Sequence, residues 1–194
     1  MKRHILLSGE IGSGKTTLIR RALGGRLRLA GGFATVRVMR GGVLEGFELV
    51  PAPELLLEQP RGARFLDFTR GTAFSGDAFR TLGVQLLREA RSRPFAVIDE
   101  IGGMELITPG FCGELESFLG SDTPWICVLK TPSSVSKLEA FAATGRDFAA
   151  RAGELREELL SSGDTQEVTV RTRGDADALG ALTSWAQEYA MQSR

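Results

Sequence analysis

Residues 9 to 16 read Gly9-Glu10-Ile11-Gly12-Ser13-Gly14-Lys15-Thr16, a glycine loop that closes on lysine and threonine. The pattern G-x-x-x-x-G-K-[ST] requires a buried strand before it and a helix after it. Both are legible. His4-Ile5-Leu6-Leu7-Ser8 is a short apolar run, and Leu18, Ile19, Ala22 and Leu23 follow at helical spacing until Gly24-Gly25 ends the helix. Each residue type has a physical task. Glycines turn the backbone tightly and bring its N–H groups against an anion. The helix aims its positive end at the same point. Arginine outnumbers lysine 20 to 4 in this chain, yet position 15 is lysine. A compact ammonium enters between phosphates where a flat guanidinium does not. The expected phosphate-binding residues are Gly9, Glu10, Ile11, Gly12, Ser13, Gly14, Lys15, Thr16 and Thr17, with the Thr16 hydroxyl on Mg2+.

The rest of the chain alternates strand and helix patterns. Gly32 to Arg40 and Val43 to Val50 are strand-like and joined by Gly41-Gly42, a β-hairpin signal. Pro51, Pro53 and Pro60 mark an irregular stretch, and Ala63 to Phe68 reads as a further short strand. Ser75 is placed to cap a helix reaching about Arg91, with Phe79, Leu82, Leu86 and Ala90 on one face. Phe95 to Ile98 and Trp125 to Leu129 are continuously apolar, as expected of parallel strands buried on both faces. Thr108-Pro109 reads as an N-cap and first helical residue. Ser136 and Glu139 have capping-box spacing. Gln166 to Val170 is the last strand, and Leu179, Leu182, Trp185 and Tyr189 mark the last helix. These elements predict one α/β domain over 1–194 with a mainly parallel sheet and an added antiparallel hairpin.

Composition narrows the function classes. Lys plus Arg and Asp plus Glu are both 24, so no general affinity for polyanions is expected and nucleic acid is not favoured. No apolar run approaches the length of a membrane span. After Met1-Lys2-Arg3-His4 only three apolar residues precede Ser8, too few for a signal peptide, so a cytoplasmic protein is expected. Cys127 falls in an apolar run and reads as a small core residue; His4, at a strand start, reads as structural.

Phe95-Ala96-Val97-Ile98-Asp99-Glu100 is an apolar strand ending in acid, the Walker B form. Asp99 is expected to bind Mg2+ beside the Thr16 hydroxyl. Glu100 is expected to reach the terminal phosphate and to orient or deprotonate the attacking water.

The longer string Asp99-Glu100-Ile101-Gly102-Gly103-Met104-Glu105-Leu106 resembles the D-E-I-G-x-M-E-L signature of the THEP1-type nucleoside-triphosphatases. Gly31-Gly32-Phe33 through Arg37, Gly42 and Gly46-Phe47 are similar to that family's hairpin. Gln166 to Val170, with Arg173 and Asp175, resembles its ending. The resemblance implies a P-loop fold and Mg2+-dependent, slow hydrolysis of ATP, GTP and other nucleoside triphosphates with loose base choice. It assigns Lys15 and Glu100 to catalysis and Thr16 and Asp99 to the metal. Glu105 is either an acid near the active site or a residue pairing with a surface arginine. After Leu129 this chain departs from the family's histidine-arginine segment, with Lys130-Thr131-Pro132-Ser133-Ser134 instead. Lys130, Lys137, Arg146 and Arg151 are therefore candidates for a cation in cis, and Arg171 and Arg173 for contact with a base. Two other readings share the phosphate site: a nucleotide or nucleoside kinase with residues 131–153 as a lid, and a nucleotide-dependent binding switch.

Overall fold

The computed structural model describes residues 2–69, 71, 73–136 and 148–190. An eight-stranded sheet carries the chain. Its strands are β1 (His4–Ser8), β2 (Ala30–Arg40), β3 (Val43–Pro51), β4 (Ala63–Asp67), β5 (Ala73–Phe74), β6 (Phe95–Ile101), β7 (Trp125–Leu129) and β8 (Thr165–Thr169). They lie in the order β5-β4-β3-β2-β6-β7-β1-β8. The run β2-β6-β7-β1-β8 is parallel, and β3, β4 and β5 extend it antiparallel from β2. The expected hairpin is thus the base of a longer antiparallel wing. The two-residue β5 has no signal in the sequence, because a strand that short has no period to detect.

The inner parallel strands β1, β6 and β7 are buried along almost their whole length because helices cover both faces. Ile5, Leu7, Val97, Ile126 and Val128 point into one core with Leu18 and Ile19 of α1 (Lys15–Leu23). Leu6, Ala96, Ile98, Trp125 and Cys127 point into the other. That second core also takes Leu86 and Leu87 of α2 (Val84–Ala90), Phe111 and Leu115 of α3 (Phe111–Leu119), and Phe148 and Leu155 of α4 (Phe148–Ser161). The last helix, α5 (Ala176–Tyr189), buries Leu182 and Trp185 beside α1. Period-2 alternation explains each assignment, since odd and even residues of one strand face opposite layers.

Helix starts agree with the sequence in part. Ser75 Oγ accepts from the Asp77 N–H, and the segment then passes through a π turn at Phe79–Gly83 into α2. The Thr108 hydroxyl donates to the Met104 carbonyl instead of capping, and Gly110 with φ 82° precedes α3. Pro109 is therefore in the approach to the helix, not its first turn. The capping-box residue Glu139 lies outside the described residues, as do Lys137 and Arg146. Among the described residues, no helix is long and apolar enough to cross a membrane.

His4 is structural in the described fold. Its ring stacks on Trp125 with centroids 4.4 Å apart, and its Nδ1 is buried without a hydrogen-bond partner. Burial pushes its pKa down to about 4, against an opposing pull from Asp164. Protonation therefore favours the unfolded chain between pH 6.5 and 4, so His4 contributes stability above pH 6.5 that fades as pH falls. The expected result is that His4→Phe flattens the loss of thermal stability over that window, as read from melting temperature against pH. An unchanged profile would remove His4 from the acid response.

Candidate functional site

The carboxyl end of the sheet gathers the site. The chain leaves β1 at Ser8 and turns through Gly9, Gly12 and Gly14, which have φ of 148°, 81° and 96°. A Cβ on Gly9 would stand 2.4 Å from the Val170 carbonyl oxygen, a clash with backbone that cannot yield. Ser13 N–H donates to the Glu10 carbonyl and closes the turn. The Ser13 hydroxyl is buried and finds no partner in the protein, an orphaned polar atom inside the loop. Lys15 is also buried, its ammonium donating to the carbonyls of Gly9 (2.8 Å) and Glu10 (3.1 Å). The loop thus presents a cation and an unsatisfied hydroxyl, the donor set expected around an anion.

β1 and β6 are not neighbours; β7 lies between them. Contact across that gap comes from side chains. Thr16 Oγ1 donates to Asp99 Oδ2 at 2.6 Å. Strand alternation sends Asp99 to the α1 face, the side of Val97, and only 3% of it is exposed. Burial pushes its pKa up to about 6; the Thr16 bond opposes this, the Glu100 charge adds to it, and Lys15 and Lys130 oppose it.

Simple alternation would send Glu100 to the opposite face. The register against β7 shifts between Asp99 and Ile101, and Ile101 packs in the same core as Ile98. Glu100 is the extra residue of a bulge, and this frees it from the pleat. Its carboxylate lies between two ammonium groups, 3.7 Å from Lys15 Nζ and 3.4 Å from Lys130 Nζ.

Glu105 forms no ion pair with an arginine among the described residues; it buttresses the chain next to Glu100. Its Oε1 accepts from the N–H groups of Gly102 (2.6 Å) and Gly103 (2.7 Å), and the residue is 5% exposed. It holds the turn that carries the chain away from Glu100. The spacing of a carboxylate two and three residues after a Gly-Gly pair was the available signal.

The remaining cations separate by location. Arg151 binds Glu116, Glu154 and Glu158, far from the loop in chemical terms because its charge is already satisfied. Arg173 donates to the Gly12 carbonyl at 3.2 Å and packs against Gly14. Arg171 donates its N–H to Asp175, which caps α5. The Glu10 side chain turns away from the loop and accepts from Ser133 and Thr131. Thr17 is exposed, one residue beyond the cleft wall.

A cleft of about 380 Å³ opens over this arrangement. Lys15, Thr16, Asp99 and Glu100 line its inner end. Arg20 of α1, Thr35 and Arg37 of β2, Phe47 of β3 and Leu57 line it as well. Sequence reasoning missed these residues. Arg20 was accessible to it, lying four after Thr16 on one helix face; the wing residues were not.

Comparison with known proteins follows the same lines. The family profile described as NTPase matches residues 4–149. A human cancer-related nucleoside-triphosphatase is 35% identical over 154 residues, covering 68% of this chain and 75% of that protein. The nucleoside-triphosphatase THEP1 of Natranaerobius thermophilus is 33% identical over 138 residues, covering 67% of this chain and 76% of that protein. The solution structure of a human cancer-related nucleoside triphosphatase superimposes with a TM-score of 0.61 at 27% identity, covering 99% of both chains.

Glu105 supplies a direct test of the loop after β6. Glu105→Ala leaves two buried N–H groups without their acceptor, and the expected loss of unfolding free energy is about 3 kcal/mol. Chemical denaturation measures it. A change below about 0.5 kcal/mol would show that the turn stands without this carboxylate.

Proposed function

The chain belongs to the NTPase family, and from that premise we propose that it hydrolyses nucleoside triphosphates to the diphosphate and phosphate, with Mg2+, at the Lys15–Thr16–Asp99–Glu100 cluster. The observation that carries the reading is the convergence of these four side chains, two from the first turn of α1 after β1 and two from the end of β6, across the intervening β7. The 1–194 chain is taken to work as one cytoplasmic domain, with ATP, GTP and other triphosphates as substrates and slow turnover.

The donor set suits a magnesium ion. Thr16 offers a hydroxyl and Asp99 a carboxylate, both hard oxygen ligands already in contact. Mg2+ is commonly held by one or two protein oxygens, with substrate phosphates and water completing its shell. The ion, when bound, would supply positive charge to the terminal phosphates.

The chain's own groups do the rest. Backbone N–H groups of residues 12 to 16 cradle the phosphates. Lys15 exchanges its bonds to the Gly9 and Glu10 carbonyls for phosphate oxygens, so it is stored near its working position. Glu100 orients a water for in-line attack on the γ-phosphorus and accepts its proton. When Lys15 turns to phosphate, Lys130 remains as the cation holding Glu100. Lys130 is thus read as a positioning residue, the counterpart in this chain of the cation sought after β7.

Phosphate release from ATP with Mg2+ and no added acceptor tests the reading. Wild type is expected to turn over repeatedly, and Glu100→Gln to lose at least about tenfold in kcat while still binding nucleotide. Release equal in both proteins would take Glu100 out of its role; none from either would overturn the hydrolase itself. Lys130→Met is expected to lower kcat by roughly threefold to tenfold with KM for ATP little changed, and Lys130→Arg to restore most of the loss. A rise in KM alone would assign Lys130 to ground-state binding instead.

A further inference from the structure

Glu10 is an acid inside a loop built for an anion. At close range a carboxylate repels the phosphates that the loop N–H groups and Lys15 attract. The fold turns its side chain out of the loop and gives it partners on another element. Ser133 Oγ donates to Glu10 Oε1 at 2.8 Å, and Thr131 Oγ1 lies 3.3 Å from the same oxygen. Both hydroxyls stand just after β7, and Lys130 immediately precedes Thr131.

The segment that meets Glu10 is locally well held. Residues 132–136 are helical. Thr131 caps this helical turn: its Oγ1 accepts from the Ser134 N–H at 3.3 Å, and its carbonyl accepts from the Val135 N–H at 2.9 Å. Pro132 takes the first helical position, where no backbone donor is needed. Ser134 and Val135 are buried, Val135 in the same core as Leu129 and Phe148. A hold on Thr131 and Ser133 therefore acts on a short rigid piece. Lys130 leads into that piece with its own N–H bound to the Ile101 carbonyl at 2.9 Å.

These contacts close a ring that begins and ends at Glu10. The Glu10 carbonyl accepts from the Lys15 ammonium at 3.1 Å, and Lys15 Nζ lies 3.7 Å from Glu100 Oε1. Glu100 Oε2 lies 3.4 Å from Lys130 Nζ. From Lys130 the chain returns through Thr131 and Ser133 to the Glu10 carboxylate. On the function proposed above, on which this reading rests, a bound triphosphate draws Lys15 off the Glu10 carbonyl and opens the ring on that side. The carboxylate side stays closed and fixes the distance between the phosphate loop and the segment that carries Lys130.

We propose that Glu10 is a positioning residue for the hydrolysis. Its carboxylate clasps Ser133 and Thr131 to the phosphate loop and so keeps Lys130 against Glu100 while the water is activated. It acts through Lys130 and not on the reacting atoms. The role needs an acceptor at this position more than a charge, because both partners are neutral hydroxyls. Glutamine keeps the acceptor, and alanine removes it.

Phosphate release from ATP with Mg2+ is compared for wild type, Glu10→Ala, Glu10→Gln, Ser133→Ala, Lys130→Met and the Glu10→Ala/Lys130→Met double variant. Circular dichroism checks that each folds. Amide hydrogen exchange over residues 131–136, read by mass spectrometry, reports the clasp without any turnover. Glu10→Ala is expected to lower kcat roughly threefold to tenfold without raising KM for ATP, and Glu10→Gln to restore at least about half of the wild-type kcat. Ser133→Ala is expected to move kcat in the same direction as Glu10→Ala. In the Lys130→Met background, adding Glu10→Ala is expected to change kcat less than about twofold, because both act through one contact. Exchange over 131–136 is expected to quicken in Glu10→Ala and to return in Glu10→Gln. Losses that multiply in the double variant, a Glu10→Gln as impaired as Glu10→Ala, or a loss confined to KM overturns the role. No phosphate release from wild type overturns the hydrolase instead, and exchange then decides the clasp alone: unchanged exchange in Glu10→Ala overturns it.

Discussion

A buried carboxylate at the end of β6 governs the arrangement. Asp99 is almost wholly withdrawn from water, and withdrawal of an ionised carboxylate is costly unless it is hydrogen-bonded. The Thr16 hydroxyl meets that need at 2.6 Å. The bond joins the first turn of α1 to a strand two places away in the sheet, bridging β7. It sets the separation between the glycine loop and the acidic pair, and with it the space in which a terminal phosphate can sit. The same burial that raises the Asp99 pKa makes the site receptive to positive charge.

Glu100 depends on a different device. A regular strand would have pointed it into the core of α2 and α3, where an ionised group has no solvation. The bulge between Asp99 and Ile101 returns Ile101 to that core and leaves Glu100 between Lys15 and Lys130. Just beyond, Glu105 ties down the N–H groups of Gly102 and Gly103. Gly102 has φ 117°, and a Cβ there would lie 2.9 Å from Lys130 Cβ. Bulge, turn and Lys130 therefore pack as one unit, so the position of the Glu100 carboxylate is coupled to the end of β7 and to the turn that follows β6.

The antiparallel wing gives the site its outer wall. Phe33 of β2, Phe65 of β4 and Phe74 of β5 pack around Phe79, and Phe111 of α3 closes the cluster. This aromatic cluster anchors the wing to the helical layer on one face. Further along the same face, the cross-strand pair Arg37 and Phe47 lines the cleft, and Phe47 touches Phe65 of the cluster.

The amino-acid sequence by itself determined the phosphate loop, the acidic strand end and the parallel core. Those signals are local: glycines where φ must be positive, lysine and threonine at fixed offsets, and continuous apolar runs that only two-sided burial explains. It also gave the hairpin, because Gly41-Gly42 between two strand-like runs is a local turn signal. Only the tertiary structure decided the rest. Register against β7 set the direction of Glu100, since a bulge is a relation between two strands and leaves no mark in one. Tertiary packing brought Lys130 against Glu100 and gave Arg151 to a cluster of glutamates. The cleft wall was beyond the sequence for the same reason. Arg20, Arg37, Phe47 and Leu57 come from one helix, two strands and a loop, and their common wall exists only once long-range packing brings those elements together.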